Sequence, residues 1–331
     1  MNAGLKRSIC LDILGLTRHQ LYYKPNGRRV GVANSVNTKK LIDNKGNMEW
    51  VQEDVIVKEI ISIKENLDLG NWYRLICAQL NFQGYYINHK KVYRIMFEYS
   101  LLEPKVKRGE RNYVKYRRVC PNKPLQILEI DIKYVWINGT KKYAFVMTII
   151  DTFTRVALHW RAGYQMTQHQ VKDSWEYVIV KYLQQEKTKL VDIEIEIRND
   201  NGKQFDAKLV RDFLSENGLN QVFTHPYTPE ENGHIESFHS TLGKCLDKEY
   251  FKDLVDLEQR LKTFYNTYNT QRAHGSIMNF APTMFWALFI ENKVEIQIIS
   301  KSELKFATNE SKQEIRFNKK AKEISNWVMG V

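Results

Sequence analysis

The spacing of apolar residues changes period along this chain, and each change marks a different kind of element. Over residues 6–23, Ile9, Ile13, Leu14 and Leu16 recur at helical spacing. Gly15 can end one helix and Thr17 can cap the next, so the segment predicts helix, short turn, helix, with Arg18 on the second. The stretch that follows is poor in apolar residues and rich in Gly, Asn and Lys, which predicts a linker. Helical spacing resumes near Val55. Trp72, Leu75, Ile76 and Leu80 form one stripe, and Gly84 breaks it. Asn88 can then cap a helix with Val92, Ile95, Met96 and Tyr99 inside and His89, Lys90, Lys91 and Arg94 outside.

Beyond Pro124 the period shortens to that of strands. Leu125 to Ile137 alternates, Gly139-Thr140 is a turn, and Tyr143 to Ile150 is an almost unbroken apolar run, as in a buried strand. Val156 to Arg161, Ile193 to Arg198 and Gln221 to Thr224 predict three more strands. Helices are expected over Thr167 to Gln185 and Ala207 to Asn217. Three hairpin-linked strands followed by alternating helix and strand predict a mixed α/β sheet with helices on both faces. The whole pattern divides the chain into a helix-turn-helix-like segment at 1–25, a linker at 26–54 and a helical domain at 55–102. A basic linker at 103–124, an α/β core at 125–290 and a tail at 291–331 follow. The break at Pro124 predicts that the core folds without residues 1–124.

Charge sharpens this division. Lys and Arg total 50 against 38 Asp and Glu, a formal net charge of +12, which favours a polyanionic partner. Much of the excess lies between residues 103 and 124, where Arg117 and Arg118 stand among other cations, interleaved with Tyr113 and Tyr116. A basic arm with aromatics suits a nucleic-acid backbone, and also suits a plain charged linker. The four cysteines, at 10, 77, 120 and 245, have no metal-ligand spacing and suggest no disulfide framework. Neither a signal peptide nor a run of 18 apolar residues is evident, so a soluble, intracellular protein without membrane attachment is expected.

Three carboxylates stand out by position. Asp131 interrupts the apolar strand Leu128-Glu129-Ile130-Asp131-Ile132, where a charge is costly unless paired or metal-bound. Asp200 lies just past a strand, in Asn199-Asp200-Asn201-Gly202, where α/β sheets place functional groups. Glu236 sits in the helix predicted after Pro229. Singly, Asp200 reads as a turn residue and Glu236 as a surface charge.

Together they gain force, because 35 residues separate Asp200 from Glu236. Here the sequence resembles the retroviral-integrase-like transposases of bacterial insertion sequences, the type encoded by a second reading frame. The resemblance rests on Asp200-Asn201-Gly202-Lys203-Gln204-Phe205 and on Pro226-Tyr227-Thr228-Pro229-Glu230-Glu231-Asn232-Gly233-His234-Ile235-Glu236-Ser237-Phe238-His239. Tyr268-Asn269-Thr270-Gln271-Arg272-Ala273-His274 with Ala281-Pro282, and upstream Tyr73-Arg74-Leu75 with Val92-Tyr93-Arg94-Ile95-Met96, extend it over roughly residues 6–290. It implies a ribonuclease-H-like mixed sheet flanked by helices and preceded by small all-helical DNA-binding units. It also implies Asp131, Asp200 and Glu236 as catalytic residues and as ligands of two Mg²⁺ or Mn²⁺ ions. The implied activity is DNA cleavage and 3′-hydroxyl strand transfer at insertion-sequence ends.

The implied partners are DNA, as element ends and target, further copies of the chain on that DNA, and a protein from an upstream reading frame. The implied location is the bacterial cytoplasm, at the nucleoid. Asn232, Lys203, His239 and Lys244 become candidate DNA contacts, beside Arg18, Lys90, Lys91, Arg94, Arg117 and Arg118. Two departures stand out. Leu128 lies near the place of a tryptophan common in the family. Gly243, seven residues after Glu236, stands where the family usually carries Lys or Arg, with Lys244 one further. The alternatives are a nuclease of the same fold and a decayed copy that only binds DNA.

Overall fold

The computed structural model describes residues 36–104, 119–184, 194–225, 231–300 and 303–330, together with Leu11, residues 13–15, Thr17 and Tyr22. The chain divides into two compact units, Met1–Asn37 and Thr38–Val331. Most of the predicted helix-turn-helix, with Arg18, and the basic arm carrying Arg117 and Arg118 lie outside the described residues.

The second unit opens with a hairpin of β1 (Thr38–Leu41) and β2 (Met48–Val51), inside the segment expected as a linker. Its turn is set by Asp43, whose carboxylate accepts the backbone N–H groups of Lys45 (2.9 Å) and Asn47 (3.1 Å). The strands escape a hydrophobicity reading because their large side chains stay in solvent: Met48 and Trp50 are exposed, and Lys39 lies over the Trp50 ring. Three helices follow, α1 (Glu53–Glu65), α2 (Tyr73–Phe82) and α3 (His89–Glu98). Ile56, Ile60 and Ile63 of α1 meet Ile76, Leu80, Val92, Ile95 and Met96 in one core. The Asn88 side chain accepts from the Lys91 N–H, as the capping pattern predicts. This unit is therefore helical with a hairpin rather than all-helical.

The central sheet carries β3 (Ile127–Ile137), β4 (Lys142–Asp151), β5 (Ala157–Gly163), β6 (Ile195–Asn199) and β7 (Leu219–Phe223), in the order β5-β4-β3-β6-β7. The first three strands pair antiparallel, while β3, β6 and β7 run parallel. That mixed topology is ribonuclease-H-like. Helix α4 (Gln168–Val178), continued by a π-helical turn, and α5 (Lys208–Glu216) cover one face. There Val171, Trp175, Val210 and Leu214 pack on Leu128, Ile130, Met147 and Ile197. Helix α6 (Gly233–Leu246) and α7 (Leu254–Thr270) cover the other, with Ile235, Phe238, Leu242, Leu261 and Phe264 on Val135, Val146 and Ile150.

After α8 (Pro282–Ile290), the segment expected as a tail forms a second hairpin, β8 (Glu295–Ser300) with β9 (Glu303–Ala307). A short α9 (Lys312–Ile315) and α10 (Lys319–Met329) follow. Ala321, Ile324 and Val328 of α10 join the first face of the core, and the Tyr182 hydroxyl donates to the Val328 carbonyl at 3.2 Å. Arg316 donates to the carbonyl of Gln83 at 2.7 Å, and Gln313 to that of Tyr85 at 3.0 Å. The end of the chain is thereby fastened to the helical domain.

That domain also docks on the core directly. Arg260 of α7 grips both carboxylate oxygens of the buried Asp68 at 2.7 and 2.9 Å, and the Asp68 carbonyl accepts from Arg272 at 2.6 Å. Phe82 of α2 shares an apolar cluster with Phe153, Ile277, Phe280 and Phe285. Among the described residues no helix is long and apolar enough to cross a membrane.

Candidate active site

The parallel pairing of β3 with β6 ends at Glu129 opposite Arg198. Two residues further on, the same register sets Asp131 beside Asp200, although one is inside a strand and the other just past one. Asp131 thus lies near enough to Asp200 for its charge to act on it, because the central strand outruns its parallel neighbour. The Asp200 loop is held in place on several sides. Its own Oδ1 accepts the Gly202 N–H at 3.0 Å, the Asn199 amide donates to the Asp200 carbonyl at 2.7 Å, and the Asn201 amide reaches the Thr224 carbonyl at 3.1 Å. Burial pushes the Asp200 carboxyl above its ordinary range; the Gly202 N–H opposes this and the Asp131 charge adds to it.

Helix α6 runs along β3 so that four helical residues match two strand residues, since about 6 Å of rise passes in each. Ile235 N donates to Glu129, His239 Nδ1 lies 3.2 Å from Asp131 Oδ2, and Gly243 lies under the end of Lys133. Glu129, Asp131 and Lys133 share one face of β3, as period-two alternation requires. Glu236 shares the helix stripe of Asn232, His239 and Gly243, at about 100° per residue, and is exposed at the edge of this seam.

Three expectations change here. His239, expected to face DNA, is buried against Asp131, and its Nε2 has no hydrogen-bond partner. Gly243 is buried rather than presented to solvent, because α6 turns that face onto the sheet. Arg94, expected on a free cationic face, is bound in ion pairs to Glu53 and, at 2.7 Å, Glu98; Lys91 donates to Thr38 Oγ1 at 2.9 Å. Lys90, Lys203 and Lys244 are exposed, as contacts with DNA require. Asn232 precedes α6, buried, with its Oδ1 unpartnered. Asp151 is a staple: its carboxylate accepts from the backbone of Leu125 (3.0 Å) and Thr154 (3.0 Å).

Glu129 was not singled out by sequence. It is wholly buried, accepts the Ile235 N–H and sits 3.0 Å from His234 Nδ1, so it ties the start of α6 to the central strand. Burial pushes its carboxyl up to about 8, against the Ile235 hydrogen bond and the charges of Arg155 and Arg198. Its period-two spacing from Asp131 was the available signal.

Among the described residues, no three His, Cys, Asp or Glu side chains stand close enough to enclose a metal ion. The donor chemistry nevertheless fits a hard divalent cation. Asp131 and Asp200 offer carboxylate oxygens, the buried Asn232 Oδ1 has no hydrogen-bond partner, and the Asp131 charge disfavours the ionised Asp200, a strain that a cation relieves.

Residues 121–229 match an integrase core domain family, and residues 217–282 match a second family of the same description. The sheet topology and these matches define the class: a polynucleotidyl transferase with an integrase core. Among curated proteins, the 31.7 kDa protein of insertion element IS407 from Burkholderia multivorans is 22% identical over 65% of this chain and 75% of its own length. InsK of insertion sequence element IS150 from Escherichia coli K12, assigned as a transposase, is 24% identical over 68% of this chain and 81% of its own length. Among solved structures, the Mos1 mariner transposase catalytic domain is 15% identical, over 43% of this chain and 70% of that one, with a TM-score of 0.37. The chain carries an integrase core like that of the insertion-sequence transposases it is similar to, and its function is that of a DNA transposase or integrase.

Proposed function

We propose that this transposase cuts and joins DNA ends with Asp131, Asp200 and Glu236 as its catalytic carboxylates. The observation that supports the reading is the register of β3 on β6, which ends two residues short of Asp131 and Asp200, together with the contact between Asp131 and His239 on the helix that carries Glu236. The three residues would hold two Mg²⁺ or Mn²⁺ ions. When bound, such ions supply activation of the attacking oxygen and stabilisation of the leaving one. Water attacks a phosphodiester and releases a 3′-hydroxyl; that hydroxyl then attacks target DNA, one P–O bond forming as another breaks. No covalent bond to the protein is required.

The chain's own residues orient and hold. His239 fixes one Asp131 oxygen, Glu129 anchors the start of the helix that carries Glu236, and Asn232 offers a buried amide oxygen to the substrate. Lys90, Lys203 and Lys244 contact phosphates. The reading carries with it several copies of the chain assembled on element ends, and a partner from an upstream reading frame.

The test is substitution at nearly constant volume. Asp131→Asn, Asp200→Asn and Glu236→Gln should each cut cleavage and joining of labelled element ends by at least about a thousandfold. DNA binding should survive. Near-normal joining by any one of the three sinks the assignment.

A further inference from the structure

Lys133 is the third residue on the β3 face that carries Glu129 and Asp131. Its neighbours on α6 follow the seam: Ile235 opposite Glu129, His239 opposite Asp131, Gly243 opposite Lys133. The approach at the last pair is close. A Cβ built on Gly243 would lie 3.0 Å from Lys133 Nζ and 3.2 Å from its Cε. Glycine within a helix costs about 1 kcal/mol relative to alanine, and α6 carries that cost where the ammonium lies.

The ammonium is also unspent. Among the described residues Lys133 has no ion pair or hydrogen bond. The nearest acidic group along the helix is Asp247, whose Oδ1 is 3.9 Å from the same Gly243 position and forms no ion pair with Lys133. A half-buried cation with no ion pair among the described residues calls for an anion from outside the chain.

We propose that Lys133 is a DNA-phosphate contact of the active site, and that Gly243 is glycine to give its ammonium room. The strand, not the helix, supplies the cation at this point of the seam. This rests on the functional reading above, because it takes Asp131 and Glu236 to be where the DNA strand is cut.

The test uses the full chain and a duplex copied from the terminal sequence that flanks its gene. Binding is measured against salt, and joining is measured in parallel. Lys133→Ala should lower the log–log salt slope by about one unit, the release of one phosphate contact. It should weaken joining about tenfold or more, with an unchanged melting temperature. Lys133→Arg should keep the slope. In the double variant Lys133→Ala with Gly243→Lys, the cation re-enters the same space from the helix, and the slope should return.

A Lys133→Ala protein with unaltered slope and joining overturns the proposal, as does a double variant that stays at the lowered slope. The Asp131→Asn protein separates the two levels. If it is inactive while Lys133→Ala is normal, only the lysine assignment falls. If it joins DNA, the functional reading falls first.

Discussion

His239 and Asn269 show how single side chains hold this architecture. His239 touches Asp131, so its loss frees one of the carboxylates proposed to be catalytic without removing a charge from the set. Replacing a group that orients a ligand typically costs 10–100-fold. His239→Ala should therefore slow joining by about that factor while DNA affinity, read by titration, stays level. Asn269 is buried and bridges both backbone groups of Ala157, accepting its N–H and donating to its carbonyl, each at 2.9 Å. Asn269→Ala strands two buried polar groups, at about 1–3 kcal/mol each, and a urea melt should report about 2–5 kcal/mol. His159 gives a pH signature. Burial, with Arg161 and Lys181 nearby, holds its ring down to about 4. The unfolded chain takes up this proton near pH 6.5 and the folded chain does not. The His159 contribution is thus complete above about pH 6.5 and is lost as pH falls towards 4. His159→Phe should flatten the drop in melting temperature between pH 7 and pH 5. At this scale the sequence pointed to isolated acidic residues. Glu129 and Lys133 escaped because a strand has faces, and their meaning came from sharing one with Asp131.

Among elements, those with a clean period were legible. All five core strands and both helices of the first face lie within a few residues of where alternation and helical spacing predicted them. What was missed has one physical cause: elements that bury little. The β1–β2 hairpin leaves Met48 and Trp50 in solvent, and α10 buries three residues beneath a lysine-rich outer surface. Neither offers a strong pattern, and both are held by partners distant in sequence. Helix α3 teaches the same about charge. Lys90 is exposed, but Arg94 is committed to Glu53 and Glu98. Lys90→Ala should lower the salt slope of DNA binding by about one unit. Arg94→Ala should leave the slope alone and lower the melting temperature instead.

At the scale of the whole molecule, the expected independence of residues 125–331 does not follow from the packing. Phe82 and Ala78 belong to a cluster built with Phe153, Phe280 and Phe285, and Asp68 fills the fork of Arg260. A chain cut at residue 124 exposes that cluster and leaves Arg260 with Glu249 alone. It should aggregate or melt at lower temperature than the full chain, a result that calorimetry or light scattering can contradict. Removing one member of a buried ion pair costs about 3–5 kcal/mol. Arg260→Ala should approach that loss, and Arg260→Lys should not restore it, because an ammonium cannot grip two carboxylates as a guanidinium fork does.

The fastening by Arg316 also sets an order in time. The loop it holds, at Gln83, is made 233 residues before Arg316. At about 5–20 residues per second, the interval is roughly 12–47 s. During it the helical domain can fold on its own isoleucine core yet has nothing at its far side. Every chain that stops short of Arg316, through a nonsense codon or a lost frame, would carry the domain without its latch.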